Sequence, residues 1–342
     1  MIRRIPAPLL AAALSAGLLA GGPAEGPVAA FGLFWSRAQG QSFEVQLRLW
    51  DQMVEQPRQA LYEAAVWETR DHPDSPSRKA RLLRARFAAY GRIAGQIPAA
   101  AEALASALPG QAARFRALFP DAAADPAIEV VLAPNFDAKS GLRADGTPVL
   151  LLAVDSLVLE QVDLDILLAH ELFHLYHATR AGIRDDGVMP GATLRLPLFA
   201  EGFATYVSSL LASGRTDGQL LLQEDLGVLP ERRLPEISRR FLADADVLAA
   251  DPAHPEAFRR WFNVAPKGTG SDLPDRTGYW LGLQVVRHLR RTHRLAEMAA
   301  WPPARAEAET LAVLRCLAGV PQASAVRVPA APAGPRRPSP GG

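Results

Sequence analysis

Residues 170–174 read His-Glu-Leu-Phe-His, and the spacing of the two histidines is what gives this run its chemistry. Positions four apart on an α-helix lie on one face, a turn apart, so the imidazoles of His170 and His174 can converge on a single ion. Neutral imidazole is a good zinc ligand. Glu171 lies about 100° round the helix from His170, outside that ligand row. It hangs beside it, where a carboxylate can take a proton from a metal-activated water and hand it to a leaving group. The bland alternative is a pair of hydrogen-bonded core histidines next to a solvated glutamate. The neighbours argue against it. Leu164, Ile166, Leu167, Leu168, Ala169, Leu172, Phe173, Leu175 and Tyr176 make the helix apolar on nearly every side, and such a helix is buried. Unpartnered polar groups in that setting are costly; a metal supplies the compensation.

A catalytic zinc takes three protein ligands and keeps one position open. The pattern with a glycine three residues after the second histidine and a third histidine three further on is excluded, because those positions hold His177 and Arg180. His177 is on the metal face but a turn too far, which gives it a structural or ligand-orienting role. Asp185 and Asp186 are possible third ligands from a loop, although adjacent acids beside glycine are usually solvated. Glu201 is the stronger candidate. It stands in Leu-Phe-Ala-Glu-Gly-Phe-Ala-Thr-Tyr-Val, residues 198–207, where a lone acid in an apolar helix needs a partner. The small Gly202 and Ala204 let that helix approach a neighbour closely.

His-Glu-Leu-Phe-His followed 27 residues after the second histidine by Glu-Gly-Phe-Ala-Thr-Tyr resembles the gluzincin clan, the thermolysin-like zinc peptidases with a distal glutamate ligand. The resemblance covers roughly residues 128–213. It implies a small sheet above the motif helix, with Val149–Val154 as an edge strand that aligns an extended substrate. It also implies that Thr205 hydrogen-bonds a zinc histidine. A donor for the oxyanion is expected too. Tyr279, Tyr206 and His288 are the candidates, with Tyr279 first, because Gly-Tyr-Trp-Leu-Gly at 278–282 resembles a segment in uncharacterised bacterial members of the clan.

The elements that must hold these residues follow from periodicity and punctuation. Residues 36 to about 119 read as helices, broken at Pro57 and at His-Pro-Asp-Ser-Pro, 72–76, with further helices at 77–95 and 98–108 and a stop at Pro109-Gly110. The β-branched run from Ile128 and the run Val149–Val154 flank a loop, Asn135–Gly146, and predict a two-strand sheet. Asp163 is an N-cap and Gly182 a stop for the motif helix. A helix at about Phe199–Ser213 follows, then others at 234–250, 254–263, 277–294 and 304–318. The predicted fold class is α+β, mostly helical: a zincin-like catalytic domain at 121–320 with a small sheet over the motif helix, plus an N-terminal helical region at 31–120. Residues 321–342 read as a disordered Pro/Ala-rich tail.

Arg3 and Arg4, the apolar run Leu9–Ala20 and the small-residue exit Gly21–Ala24 match a secretory signal within residues 1–30. At about 12 residues the run is short of the roughly 20 that span a bilayer. The expectation is therefore export, to the periplasm or outside the cell, with no membrane span after signal removal, and residue usage suggests a bacterial source. A net charge of +1 gives no field to attract nucleic acid. The single cysteine, Cys316, rules out an intramolecular disulfide and a cysteine zinc site, and its apolar neighbours mark it as a small core residue. The expected function is zinc-dependent hydrolysis of a peptide or protein substrate, with Glu171 as general base and His170, His174 and Glu201 on the zinc. The alternatives are a non-catalytic binding module of the cell envelope, which would have no use for Glu171, and a zinc hydrolase of a non-peptide amide or ester.

Overall fold

In the computed structural model, residues 26–68, 75–123, 126–142, 148–183, 189–250, 254–263 and 272–320 are described. The fold is mostly helical around a three-stranded mixed sheet. Its strands are β1 (Ile128–Val131), β2 (Ala138–Leu142) and β3 (Pro148–Ala153), in the order β1-β3-β2. β1 runs parallel to β3, with Ile128 opposite Leu150; β2 runs antiparallel to it, with Ala138 opposite Leu152. Val149 to Ala153 are completely buried, which a continuous apolar strand requires when both sheet faces are covered. The alternation is clean. Val149, Leu151 and Ala153 face the N-terminal helices, while Leu150 and Leu152 face Leu167 and Leu168 of the motif helix.

Two expectations about the sheet are corrected. The segment Asn135–Gly146, read as a loop, contributes β2. Ala-Lys-Ser-Gly-Leu has little strand propensity, and it pairs because β3 offers a second open edge to its backbone. In consequence β3 is the central strand. The edges are β1 and β2.

Three main helices, Pro27–Ala38, Phe43–Trp50 and Ser75–Ile93, and the start of a fourth, Ile97–Leu118, pack on the first sheet face; the fourth then passes to the other face, where Leu104 and Leu108 meet Leu150 and Leu152. Their core is aromatic: Trp50 and Phe87 each touch the rings of Phe34, Tyr90 and one another. The stop expected at Pro109-Gly110 does not occur, since the helix from Ile97 runs through Pro109. Leu104 and Leu108 before the proline and Gln111 and Phe115 after it are all buried, so packing on both sides holds the helix together against the lost hydrogen bond.

This helical layer is fastened to the sheet by polar groups. Arg58 Nη1 donates to the Val130 carbonyl at 2.8 Å and Tyr62 Oη to the Leu132 carbonyl at 3.0 Å, which covers the outer edge of β1. Just beyond β3, fully buried Asp155 accepts from Tyr90 Oη at 2.8 Å and from Ala133 N at 3.0 Å. Arg86 Nη1 lies 3.4 Å from the same carboxylate. Residues on both sides of position 120 thus share one core. The helix Pro27–Ala38 begins inside the 1–30 segment; the signal-like residues 1–25 and the tail 321–342 lie outside the described residues. Among the described residues no helix is long and apolar enough to cross a membrane.

The motif helix spans Leu164–Ala181. Asp163 caps it by accepting from Asp165 N and Ile166 N, and Gly182 ends it at φ 69°, the left-handed conformation that suits glycine. Against it lies the Glu201 helix, Arg195–Leu211, which starts four residues earlier than expected. The Tyr279 helix, Thr277–Leu289, crosses the Glu201 helix in turn. The remaining expected helices are found as Leu234–Asp244, Pro255–Phe262 and Pro303–Leu317. On the last of these, Cys316 is exposed rather than buried. The inward positions are Ala306, Thr310, Val313 and Leu314, and Cys316 falls past them on the solvent side.

Candidate metal centre

His170 and His174 leave the motif helix on one face, as spacing predicts, and Glu201 reaches them from the neighbouring helix. His170 Nε2 is 2.9 Å from His174 Nε2 and 3.1 Å from Glu201 Oε2. His174 Nε2 is 3.5 Å from that same carboxylate oxygen. The three groups could hold a metal ion. Two tests on the donor atoms support the fit. A tetrahedral ion with ligands about 2.0–2.1 Å away sets neighbouring donors about 3.3–3.4 Å apart, and the triangle observed lies close to that. Asp137, Glu171 and Glu201 line the cleft against one guanidinium, Arg276, and a dication suits that surplus of carboxyl groups.

Burial alone would raise the Glu201 carboxyl. The His174 and His170 imidazoles facing it more than offset this and hold it well below the usual carboxylate range. Burial lowers the His170 imidazole, which favours the neutral, ligating form. The two helices are held in register by Ser208, whose Oγ lies 3.2 Å from the Ile166 carbonyl and 3.1 Å from that of Ala204.

Glu171 is buried and lines the same cleft as the three ligand candidates. So does Tyr279, whose ring lies 6.5 Å from that of His170 at an interplanar angle of 23°. Burial first, and then the Glu201 charge, push the Tyr279 phenol above its ordinary range, so its hydroxyl is a donor. Tyr206 and His288 do not line the cleft. His288 lies nine residues beyond Tyr279 on the same helix, and Tyr206 packs against the main hydrophobic core.

The expectation for Thr205 is corrected, and His177 takes the structural one of its two expected roles. Thr205 lines the cleft, but its hydroxyl donates to the Glu201 carbonyl at 2.8 Å rather than to a histidine. A threonine in mid-helix has that carbonyl one turn back within reach. His177 is fully buried, with its ring against Phe173, Phe199 and Phe203. Neither of its ring nitrogens has a hydrogen-bond partner, and burial pulls its pKa down to about 3. It is a neutral core residue. Asp185 and Asp186 lie outside the described residues.

Sequence reasoning missed Asp137, Arg276 and the wall formed by Leu220, Leu221 and Leu222. Arg276 had a signal, since it stands one turn ahead of Tyr279. Asp137 had none apart from its place before an unrecognised strand. A search against protein-family models, curated proteins and solved structures finds no match to the chain.

Proposed function

We propose that the protein is a zinc-dependent peptidase of the gluzincin kind. The observation that carries this reading is the meeting of His170 Nε2, His174 Nε2 and Glu201 Oε2 in one cleft with Glu171. Two nitrogens and one carboxylate oxygen form a donor set that suits zinc. A zinc ion held there supplies Lewis acidity, lowering the pKa of water and polarising a carbonyl oxygen.

The protein's own groups do the rest. Glu171 accepts the proton of the attacking water on its carboxylate and delivers it to the leaving nitrogen. The Tyr279 hydroxyl donates to the oxygen that gains charge as the carbonyl carbon becomes tetrahedral. β2 replaces β3 as the strand that aligns an extended substrate. Asp137 and Ala138, where β2 begins, line the cleft. The far edge of β2 pairs with no strand among the described residues, whereas Arg58 covers the edge of β1.

A peptide library incubated with zinc-loaded protein, with products read by mass spectrometry, tests the reading. The native chain should give chelator-sensitive cleavage and Glu171→Gln should give none while keeping its zinc. An active Gln variant would remove Glu171 from the base role, and an uncut library would end the peptidase reading.

A further inference from the structure

One charged side chain in the cleft has no part in the reaction described above. Arg276 precedes the Tyr279 helix with φ 57°, a left-handed backbone that side-chain-bearing residues seldom adopt and that marks a constrained position. Its guanidinium carbon lies 4.2 Å from the centre of the Tyr279 ring. That ring in turn faces the His170 imidazole. Cation, phenol and metal-ligand candidate thus form one column.

Stacking fixes the plane of a guanidinium and leaves its N–H donors at the edges, in a fork that matches a carboxylate. Among the described residues Arg276 forms no ion pair. The charges of Glu201 and Asp137 act on it across space, and a hydrogen bond joins it to the Tyr279 side chain, but neither carboxylate pairs with it directly. Glu201 faces the two histidines, and Asp137 accepts from Ala138 N at 2.7 Å. A cleft-lining cation without an ion-pair partner is therefore open to an anion that arrives with the substrate.

The cleft's other properties narrow the class. Leu220, Leu221 and Leu222 give it an apolar wall. Its volume is about 150 Å³, below the roughly 300–1,000 Å³ of pockets that enclose a whole small molecule. Such a space grips one end of a chain.

We propose that Arg276 anchors a carboxylate of the substrate, so that the cleft selects a peptide segment carrying a carboxylate beside an apolar side chain. This substrate class rests on the hydrolase reading above. The carboxylate can come from a free C-terminus or from an acidic side chain.

The test uses three N-acetylated peptides: one ending in leucine with a free carboxylate, its C-terminal amide, and an amide with glutamate next to the leucine. Zinc-loaded full chain, Arg276→Gln and Arg276→Lys are compared for cleavage. Binding is measured separately by calorimetry on Glu171→Gln, with and without Arg276→Gln. The free acid should be preferred over the neutral amide by roughly tenfold or more, as expected for a charge-assisted forked contact. Arg276→Gln should bring that ratio close to one, and Arg276→Lys should leave an intermediate preference. A glutamyl amide preferred over both the neutral amide and the free acid would assign the carboxylate to a side chain. A native protein that treats all three peptides alike, or a preference that survives Arg276→Gln, overturns the proposal. If no peptide is cut but the acid still binds more tightly through Arg276, the anchor stands and the peptidase reading falls.

Discussion

Gly202 and Gly282 are in backbone contact where the Glu201 and Tyr279 helices cross. A Cβ added at Gly202 would lie 2.1 Å from the Gly282 carbonyl carbon, and one added at Gly282 would lie 2.3 Å from the Leu198 oxygen. The crossing sits next to Glu201 in one helix and a turn beyond Tyr279 in the other. It therefore sets how close the phenol comes to the metal-ligand candidates.

Gly202→Ala should destabilise the fold by at least about 1–3 kcal/mol, the usual range for overpacking, because backbone rather than a flexible side chain blocks the methyl. Gly91→Ala is the control. Gly91 is exposed in the Ser75–Ile93 helix with nothing near its Cβ position, and alanine there should stabilise by about 0.5–1 kcal/mol. Urea titrations of the two variants check the contrast. Equal effects would mean the crossing is looser than described.

Tyr279→Phe keeps the ring that Arg276 and His170 face and removes only the hydroxyl. On a cleaved peptide it should lower kcat roughly a hundred- to a thousandfold with little change in KM, the usual result of losing one oxyanion donor. Tyr206→Phe and His288→Gln, outside the cleft, should leave kcat near native. A full-rate Tyr279→Phe enzyme would move the donor elsewhere.

His177 makes stability depend on pH. Its folded pKa of about 3 lies below the ordinary 6.5, so between those values the unfolded chain binds the extra proton and acid favours unfolding. The contribution is fully present above pH 6.5 and is lost as pH falls toward 3, at about 1.4 kcal/mol per pH unit. His177→Leu should remove that part of the slope and hold or raise stability at pH 7, since two unpartnered nitrogens leave the core. Urea midpoints from pH 4 to 7 read both effects, and unchanged slopes would show that His177 takes up its proton in the folded state.

The parts of this protein that were legible in its sequence are those fixed by local spacing. The helical face shared by His170 and His174, the Asp163 cap and the Gly182 stop each depend on residues within a turn or two. Glu201 was found because an acid among apolar neighbours needs a partner, and that partner could be named from the adjacent motif. What escaped depends on neighbours distant in sequence. β2 exists because β3 has a second edge, and Pro109 is carried by packing on either side of it. The Asp155–Arg86–Tyr90 cluster joins residues some 65–70 positions apart. Arg276 gained significance only when the glycine crossing brought the Tyr279 helix to the cleft.

Zinc content after equilibrium dialysis, measured by elemental analysis, tests the central claim most directly. The native chain should retain about one ion per molecule, as a three-ligand site predicts. His174→Ala and Glu201→Ala should lose nearly all of it, and the double variant of Asp185 and Asp186 to Ala should not. A native protein that holds no zinc, or a Glu201→Ala protein that holds as much as native, would contradict the account.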